Sequence, residues 1–149
     1  MLLIGSRVTK YTIEMRFVDT NILLYSISRE TGEVEKRAIA LTLLQAEDLA
    51  LSTQVLQEFY VQAIRPKRRV PLTHSQAAGL VECWLRFKIQ AMTVAIVLAA
   101  FAAKARWQIS YWDAAIIEAA RAAGCDEVLS EDLNHRQDYG GVRVTNPFL

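Results

Sequence analysis

Four carboxylate residues, widely separated along the chain, are the side chains of this sequence best suited to chemistry. They are Asp19, Glu58, Asp113 and Asp132. Oxygen ligands without neighbouring histidine or cysteine are those that Mg²⁺ and Mn²⁺ prefer. An ion held in this way polarises a phosphate group and lowers the pKa of a bound water, which then attacks the phosphorus in line. The residue types therefore predict a site for such an ion, with open positions for water and a substrate phosphate, provided that the fold brings the four carboxylates together.

The elements that must position these acids form an α/β domain. Short β-type runs alternate with longer helical periods, which predicts a mainly parallel sheet between helices. We predict strands at 15–19, 48–52, 126–130 and 142–145, and helices at 21–28, 32–45, 53–65, 74–88, 94–107 and 112–123. The helix at 94–107 is apolar on nearly all sides, which predicts its burial either inside the domain or against a partner subunit.

All four acids fall at one edge of the predicted sheet. Asp19 and Asp132 follow the carboxyl ends of strands, where ligand sites form in open parallel sheets. Asp113 lies in the first turn of a helix. Glu58 lies roughly 7 Å beyond a helix start, and its side chain tilts back toward that start. The acids that instead begin strands belong to the opposite edge: Asp48, Asp126 and Glu127.

Each acid also has a simpler interpretation when it is considered alone. Ser110 and Asp113 have the spacing of a capping box, and Asp19 can cap a helix. Glu58 suits a solvated helix face, and Asp132 suits a turn. A cluster of four carboxylates, in contrast, requires compensation, because two unit charges about 4 Å apart repel by about 4 kcal/mol at an effective dielectric of about 20. The coincidence of all four at one edge favours a shared cation site.

Four segments resemble, in the same order, the acidic motifs of PIN-domain ribonucleases. They are FVDTNILLY (17–25), STQVLQEFY (52–60), SYWDAAI (110–116) and LSEDL (129–133). The chain is most similar to the VapC toxins of type II toxin–antitoxin pairs, over residues 16–148. This resemblance implies a PIN-like three-layer α/β/α domain with about five mainly parallel strands. It also implies an endoribonuclease of single-stranded RNA that uses one or two Mg²⁺ or Mn²⁺ ions, forms a homodimer and binds a cognate antitoxin.

The resemblance also assigns roles to individual residues. The four acids take the metal-binding and catalytic positions, with Glu131 as the alternative to Asp132 for the fourth. The expected metal-dependent mechanism, rather than the resemblance, predicts auxiliary roles in orienting water, the phosphate or the first acid for neighbouring polar side chains: Thr20, Asn21 and Ser130.

Charge limits how the protein can contact nucleic acid. The 149 residues include 17 basic and 16 acidic groups, so the net charge of +1 creates no overall attraction to RNA. Any contact with nucleic acid must then be local. One dense basic turn is the candidate for guiding RNA phosphates. A turn that is only solvated is the simpler interpretation. This turn contains Lys67, Arg68 and Arg69. The three tryptophans are further candidates for a dimer or antitoxin surface, with core packing as the simpler interpretation for most of them: Trp84, Trp107 and Trp112.

The remaining features predict one cytoplasmic domain. A hydrophobic share of 52% in 149 residues suits a single core, and the two cysteines lack metal-site spacing. No secretion signal is recognisable, and the longest uncharged stretch, residues 89–103, is shorter than the roughly 20 residues of a membrane span. We predict an N-terminal extension over 1–14, expected to be disordered, and a single PIN-like domain over 15–149.

Two other functions fit part of the pattern. An aspartyl-phosphate phosphatase-like hydrolase also begins with a strand-end aspartate before a short helix. Such enzymes generally need a second acid two residues later, where this chain has Asn21. The alternative outside enzymes is a non-catalytic module whose acidic edge binds a cation or a basic peptide without turnover.

Overall fold

Five parallel strands form the central sheet of the structure, a computed structural model that describes residues 14–149. In chain order they are β1 (Arg16–Val18), β2 (Leu49–Ser52), β3 (Lys88–Gln90), β4 (Glu127–Leu129) and β5 (Arg143–Thr145). Their order across the sheet is β3-β2-β1-β4-β5, and every pairing is parallel. Apart from Glu14, the predicted extension over 1–14 lies outside the described residues.

Six α-helices in this part of the chain complete the predicted three-layer α/β/α fold. They are α1 (Thr20–Ser26), α2 (Val34–Leu43), α3 (Thr53–Ala63), α4 (His74–Trp84), α5 (Val94–Trp107) and α6 (Tyr111–Ala122). The central strands are buried on both faces, with Phe17, Val18 and all of β2 inaccessible to solvent. Helices on both faces of a parallel sheet explain this burial.

The first turns of two helices lie at the carboxyl edge of the sheet because polar caps follow the strands directly. Ser52 ends β2, and its hydroxyl accepts a hydrogen bond of 3.2 Å from the Val55 amide. Asp19 follows β1, and its carboxylate accepts one of 2.7 Å from the Thr20 amide. Such caps satisfy amides that a helix start leaves without partners. The chain therefore turns into α1 and α3 at the edge where parallel sheets bind ligands.

The acids that begin strands lie at the opposite edge, as predicted. Asp48 accepts two hydrogen bonds of 2.8 and 2.9 Å from the Arg16 guanidinium, which lowers the pKa of Asp48. Asp126 and Glu127 line a separate cavity with Arg143. These acids have basic neighbours and are not part of the four-acid cluster.

The predicted continuation of a helix to Lys88 is wrong. Helix α4 ends at Trp84, and Lys88–Gln90 form the edge strand β3, paired with β2 from Ala50 to Ser52. Three residues are too few to establish a two-residue period in the sequence. The segment therefore becomes a strand because it pairs with the free edge of β2, and not because of a pattern in its own sequence.

Residues 14–149 do not cover helix α5 on all sides. Ile96, Ala100 and Ala103 are buried, whereas an α5 stripe of three large residues is exposed: Val94 (76%), Leu98 (60%) and Phe101 (55%). The predicted burial inside the domain is therefore wrong for this face, while burial against a partner subunit stays a prediction. No helix within residues 14–149 is long and apolar enough to cross a membrane.

Candidate active site

One cavity of about 220 Å³ brings the four acids together at the carboxyl edge of the sheet. Asp19 and Asp132 follow the ends of β1 and β4, Asp113 lies in the first turn of α6, and Glu58 lies at the middle of α3. The complete lining consists of Asp19, Thr20, Asn21, Leu24, Gln54, Glu58, Gln62, Trp112, Asp113, Ile116 and Asp132. The four acids that the sequence places at the carboxyl edge of the sheet are therefore the ones that converge on this cavity.

Asp19 is the most deeply buried of the four acids, with 6% of its surface exposed. Besides the Thr20 amide, its carboxylate accepts hydrogen bonds from the Ser130 hydroxyl at 2.7 Å and from the Asn21 amide at 3.3 Å. Burial raises the pKa of Asp19 to about 7. The Ser130 and Thr20 hydrogen bonds oppose this increase, whereas the nearby acidic charges add to it. Asp19 is therefore both a helix cap and a member of the cluster.

Asn21 connects the two strand ends that supply acids. Its side-chain nitrogen donates to Asp132 Oδ2 at 3.1 Å as well as to Asp19, and its oxygen accepts from the Glu131 amide at 3.3 Å. The Ser130 hydroxyl accepts from the Asp132 amide at 3.1 Å. These bonds fix the loop after β4 against the start of α1.

Glu58 is oriented by two side chains. Thr20 Oγ1 donates to Glu58 Oε2 at 2.9 Å, and Gln54 Nε2 donates to Glu58 Oε1 at 3.0 Å. Gln54 lies one helical turn before Glu58 on α3, which places both side chains on the same face. Sequence reasoning missed Gln54, although this four-residue spacing is visible in the sequence.

Asp113 forms only part of the predicted capping box. Its backbone amide donates to the Ser110 hydroxyl at 3.1 Å, but among the described residues its carboxylate accepts no bond from the Ser110 amide. The carboxylate instead lines the cavity, half-buried. Burial raises the pKa of Asp113, the Ser110 hydroxyl opposes the increase, and the charges of Asp132 and Glu58 add to it.

The two adjacent acids after β4 point to different surroundings. Asp132 lines the cavity, whereas Glu131 accepts hydrogen bonds from Tyr25 Oη and Lys36 Nζ. Burial alone would raise the pKa of Glu131, but the Lys36 and Tyr25 contacts lower it overall. The geometry thus places Asp132 with the other three acids, and Glu131 in an ion pair with α2.

The basic turn lies outside the cavity lining. Lys67 and Arg69 are exposed, and Arg69 lies 3.9 Å from Glu30. Arg68 is half-buried, and its Nε has no hydrogen-bond partner within the described residues. The structure places no basic side chain of this turn beside the acids.

The donor set fits a hydrated Mg²⁺ or Mn²⁺ ion. Within residues 14–149, no three acidic, cysteine or histidine side chains are close enough to hold one ion alone. Mg²⁺ usually binds one or two carboxylates directly and keeps several waters. Gln54 lines the same cavity, and its Oε1 is buried without a hydrogen-bond partner in the described chain, which leaves this oxygen free to accept from a water of that hydration shell. The acids and this free acceptor therefore match an ion that is bound partly through water.

These observations define a class of protein, an α/β domain with an acidic cavity at the carboxyl edge of a parallel sheet. Residues 16–138 match the PIN domain family. The chain therefore belongs to the PIN-domain family. A sequence search of characterised proteins found no significant match.

Solved structures share this fold at low sequence identity. A toxin–antitoxin complex from Klebsiella pneumoniae aligns with a TM-score of 0.64 and 20% identity, over 89% of this chain and 97% of the other. VapC20 from Mycobacterium tuberculosis, a toxin that cleaves the sarcin–ricin loop, aligns with a TM-score of 0.62 and 18% identity, over 78% and 91%. VapBC2 from Rickettsia felis, bound to a promoter DNA fragment, aligns with a TM-score of 0.62 and 17% identity, over 89% and 98%.

Proposed function

We propose that this protein is a metal-dependent endoribonuclease that hydrolyses phosphodiester bonds in single-stranded RNA and acts as the toxin of a toxin–antitoxin pair. The convergence of Asp19, Glu58, Asp113 and Asp132 on one cavity carries the proposal. Membership of the PIN-domain family supports nuclease chemistry. The structural relatives, which include toxins and toxin–antitoxin complexes, support the toxin role.

The four acids would hold one or two Mg²⁺ or Mn²⁺ ions. When bound, such an ion supplies the polarisation of the scissile phosphate and the activation of water. Asn21 keeps Asp19 and Asp132 in fixed orientations, and Thr20 does the same for Glu58. These hydrogen bonds orient three of the four acids before an ion binds, which reduces the reorganisation that catalysis requires.

Hydrolysis adds one water across one phosphorus–oxygen bond. The attacking oxygen stays on the new terminal phosphate, and the leaving oxygen takes a proton to become a hydroxyl. No side chain forms a covalent bond with phosphorus in this scheme. Cleavage in water enriched in heavy oxygen should therefore place the label in the terminal phosphate of the product.

We also propose a cognate antitoxin, homodimerisation and action in the cytoplasm. The exposed α5 stripe supports an association surface, since large apolar side chains along one helix face are typical of interfaces. The toxin–antitoxin complexes among the structural relatives support the antitoxin partner.

The test is cleavage of a single-stranded RNA pool by the purified protein. The wild type should cleave with Mg²⁺ or Mn²⁺, stop when EDTA is added and recover when the ion is restored. Asp113→Asn should lower the rate by at least about 100-fold, because a lost carboxylate ligand removes several kcal/mol of charge stabilisation. Asp126→Asn is the matched control, because Asp126 is an exposed acid at the opposite edge of the sheet.

The outcomes separate the three functions. Undiminished cleavage in EDTA or by Asp113→Asn would reject the metal-dependent nuclease. Metal binding without cleavage of any RNA would favour the non-catalytic module. Hydrolysis of small phosphate esters through a phosphorylated Asp19 would favour the phosphatase-like alternative.

A further inference from the structure

Trp112 is a large apolar side chain that the fold leaves in solvent at the acidic cavity. It lies next to Asp113 in the first turn of α6 and lines the cavity, yet 63% of its surface is exposed. Trp84, in contrast, is 5% exposed and packs edge-on against Phe59 with ring centroids 4.6 Å apart. Core packing is therefore correct for Trp84 and wrong for Trp112. An indole exposed beside a candidate active site is available to bind a ligand.

The Trp112 ring is supported from one side. The ring of Tyr111 contacts it edge-on with centroids 5.1 Å apart, and Tyr111 in turn contacts Phe101 with centroids 5.5 Å apart. The Ser110 cap fixes the first turn of α6 beneath these rings. An aromatic side chain held in this way loses little conformational freedom when a flat ligand covers its exposed surface.

The charge of the cavity indicates which part of an RNA chain can bind here. Four of the lining residues are acidic and, within the described residues, none of the lining is basic. The lining therefore offers no ion pair to the RNA phosphates, and its carboxylates repel them unless a cation intervenes. Aromatic stacking of unpaired bases is the attraction that does not depend on charge, and proteins that bind single-stranded nucleic acid use it regularly.

We propose that Trp112 stacks against a nucleobase next to the scissile phosphate and so positions that phosphate at the acidic cavity. This inference rests on the proposed cleavage of RNA and adds the contact by which the substrate is held. Stacking requires a base that is free of a duplex, and it tolerates all four bases because each has a flat aromatic face. Trp112 would therefore favour single-stranded RNA without setting the cleavage sequence.

The test measures binding of a short single-stranded RNA of randomised sequence, with Ca²⁺ replacing Mg²⁺ to limit cleavage. Trp112→Ala should bind about 10-fold more weakly than the wild type, which lies within the usual effect of removing one stacked aromatic. Trp112→Phe keeps an aromatic face and should stay within about 3-fold of the wild type. Leu98→Ala is the control, because Leu98 is exposed to a similar extent, 60%, but does not line the cavity.

A second RNA separates stacking from other contacts. A sugar–phosphate chain of the same length that lacks its bases should bind the wild type and Trp112→Ala equally. Stacking should also quench the fluorescence of Trp112, a signal that the Trp112→Phe variant lacks. A thermal melt of each variant checks that the fold is retained, and the Phe variant keeps the test valid if the Ala variant is unstable.

Three results would each overturn the inference. They are wild-type affinity of a folded Trp112→Ala, the absence of Trp112 quenching by RNA, and a loss of affinity by Trp112→Ala for the chain that lacks bases equal to its loss for RNA. If the wild type cleaves RNA while any of these results is obtained, only the stacking role fails. If the wild type neither binds nor cleaves RNA, the proposed function fails together with it.

Discussion

Asp19 shows at the level of one residue how the site differs from ordinary surface acids. The side chain is buried, it caps a helix, and its pKa is raised by burial to about 7 despite the hydrogen bonds it accepts. A cation in the cavity would lower this pKa again, because an opposite charge nearby favours the ionised form. The raised pKa reflects an electrostatic cost of ionised Asp19 in the fold, and binding of an ion would reduce that cost.

The raised pKa of Asp19 predicts how stability depends on pH in the metal-free protein. Its value in the unfolded chain is near 3.8 and in the folded chain about 7, so the folded state binds more protons between these values. Stability in EDTA should therefore fall, by up to a few kcal/mol, as the pH rises from about 4 to about 7, and level off above that. Thermal melts of the wild type and Asp19→Asn across this range should show the decrease in the wild type and a weaker one in the variant. Parallel curves for the two proteins would contradict the prediction.

The neighbouring acids after β4 offer a matched comparison. Asp132→Asn should reduce RNA cleavage by at least about 10-fold and weaken Mn²⁺ binding, because Asp132 lines the cavity. Glu131→Gln should leave Mn²⁺ binding within about 2-fold, because Glu131 is paired with Lys36 and Tyr25. Isothermal titration measures the Mn²⁺ affinity of both variants, and a cleavage assay measures their activity. A larger loss of Mn²⁺ affinity in Glu131→Gln than in Asp132→Asn would make Glu131 the fourth acid of the site.

At the level of elements, α5 combines a buried and an exposed apolar face. Its small residues, Ala100 and Ala103, pack with Ala114 and Ala115 of α6, which lets the two helices approach closely. In the described part of the chain, the α5 stripe on the other face stays exposed, although the Phe101 ring contacts Tyr111 at one side. Its exposure fits a helix that serves both the core and an association surface.

The α5 stripe predicts the effect of charge on oligomeric state. Leu98→Glu combined with Phe101→Glu should convert the expected homodimer to a monomer, because burying two carboxylates in an apolar interface is unfavourable. Analytical ultracentrifugation checks this. Leu85→Glu is the control, since Leu85 at the end of α4 is also more than half exposed, 55%. A wild type that is monomeric, or a dimer that survives both changes, would show that the stripe is not the dimer surface.

On the scale of the whole molecule, the four cavity acids and the dense basic turn lie apart, although the net charge is close to zero. The acids converge on the cavity, whereas the dense basic turn follows the far end of α3. A net charge of +1 does not attract RNA from a distance. Guidance of the backbone of the proposed RNA substrate would therefore depend on local basic groups.

The basic turn predicts a change in the salt dependence of RNA binding. Lys67→Gln combined with Arg69→Gln should weaken binding and reduce the slope of log affinity against log salt by about 0.7 for each RNA phosphate that the protein no longer neutralises. Lys104→Gln with Arg106→Gln is the control, because it removes the same charge from exposed positions on α5. Equal slopes for the two double variants would show that the basic turn does not contact RNA phosphates and is only a solvated turn.

Much of the fold and of the acid cluster was predictable from local signals. The alternation of strands and helices identified four of the five strands, and the caps Asp19 and Ser52 marked where strands turn into helices. Because parallel strands all end at one edge, the position of an acid along its own element is enough to assign it to that edge. This reasoning holds without knowledge of any contact between distant residues.

What the sequence alone determined was therefore the α/β class and the edge to which each acid belongs, since periodicity, caps and strand ends are local properties. Only the tertiary structure decided that Lys88–Gln90 is a strand, that Asp132 rather than Glu131 lines the cavity, and that Trp112 is exposed. The physical reason is that an edge strand depends on its neighbour, while the direction and exposure of a side chain depend on packing between elements that are remote in the chain.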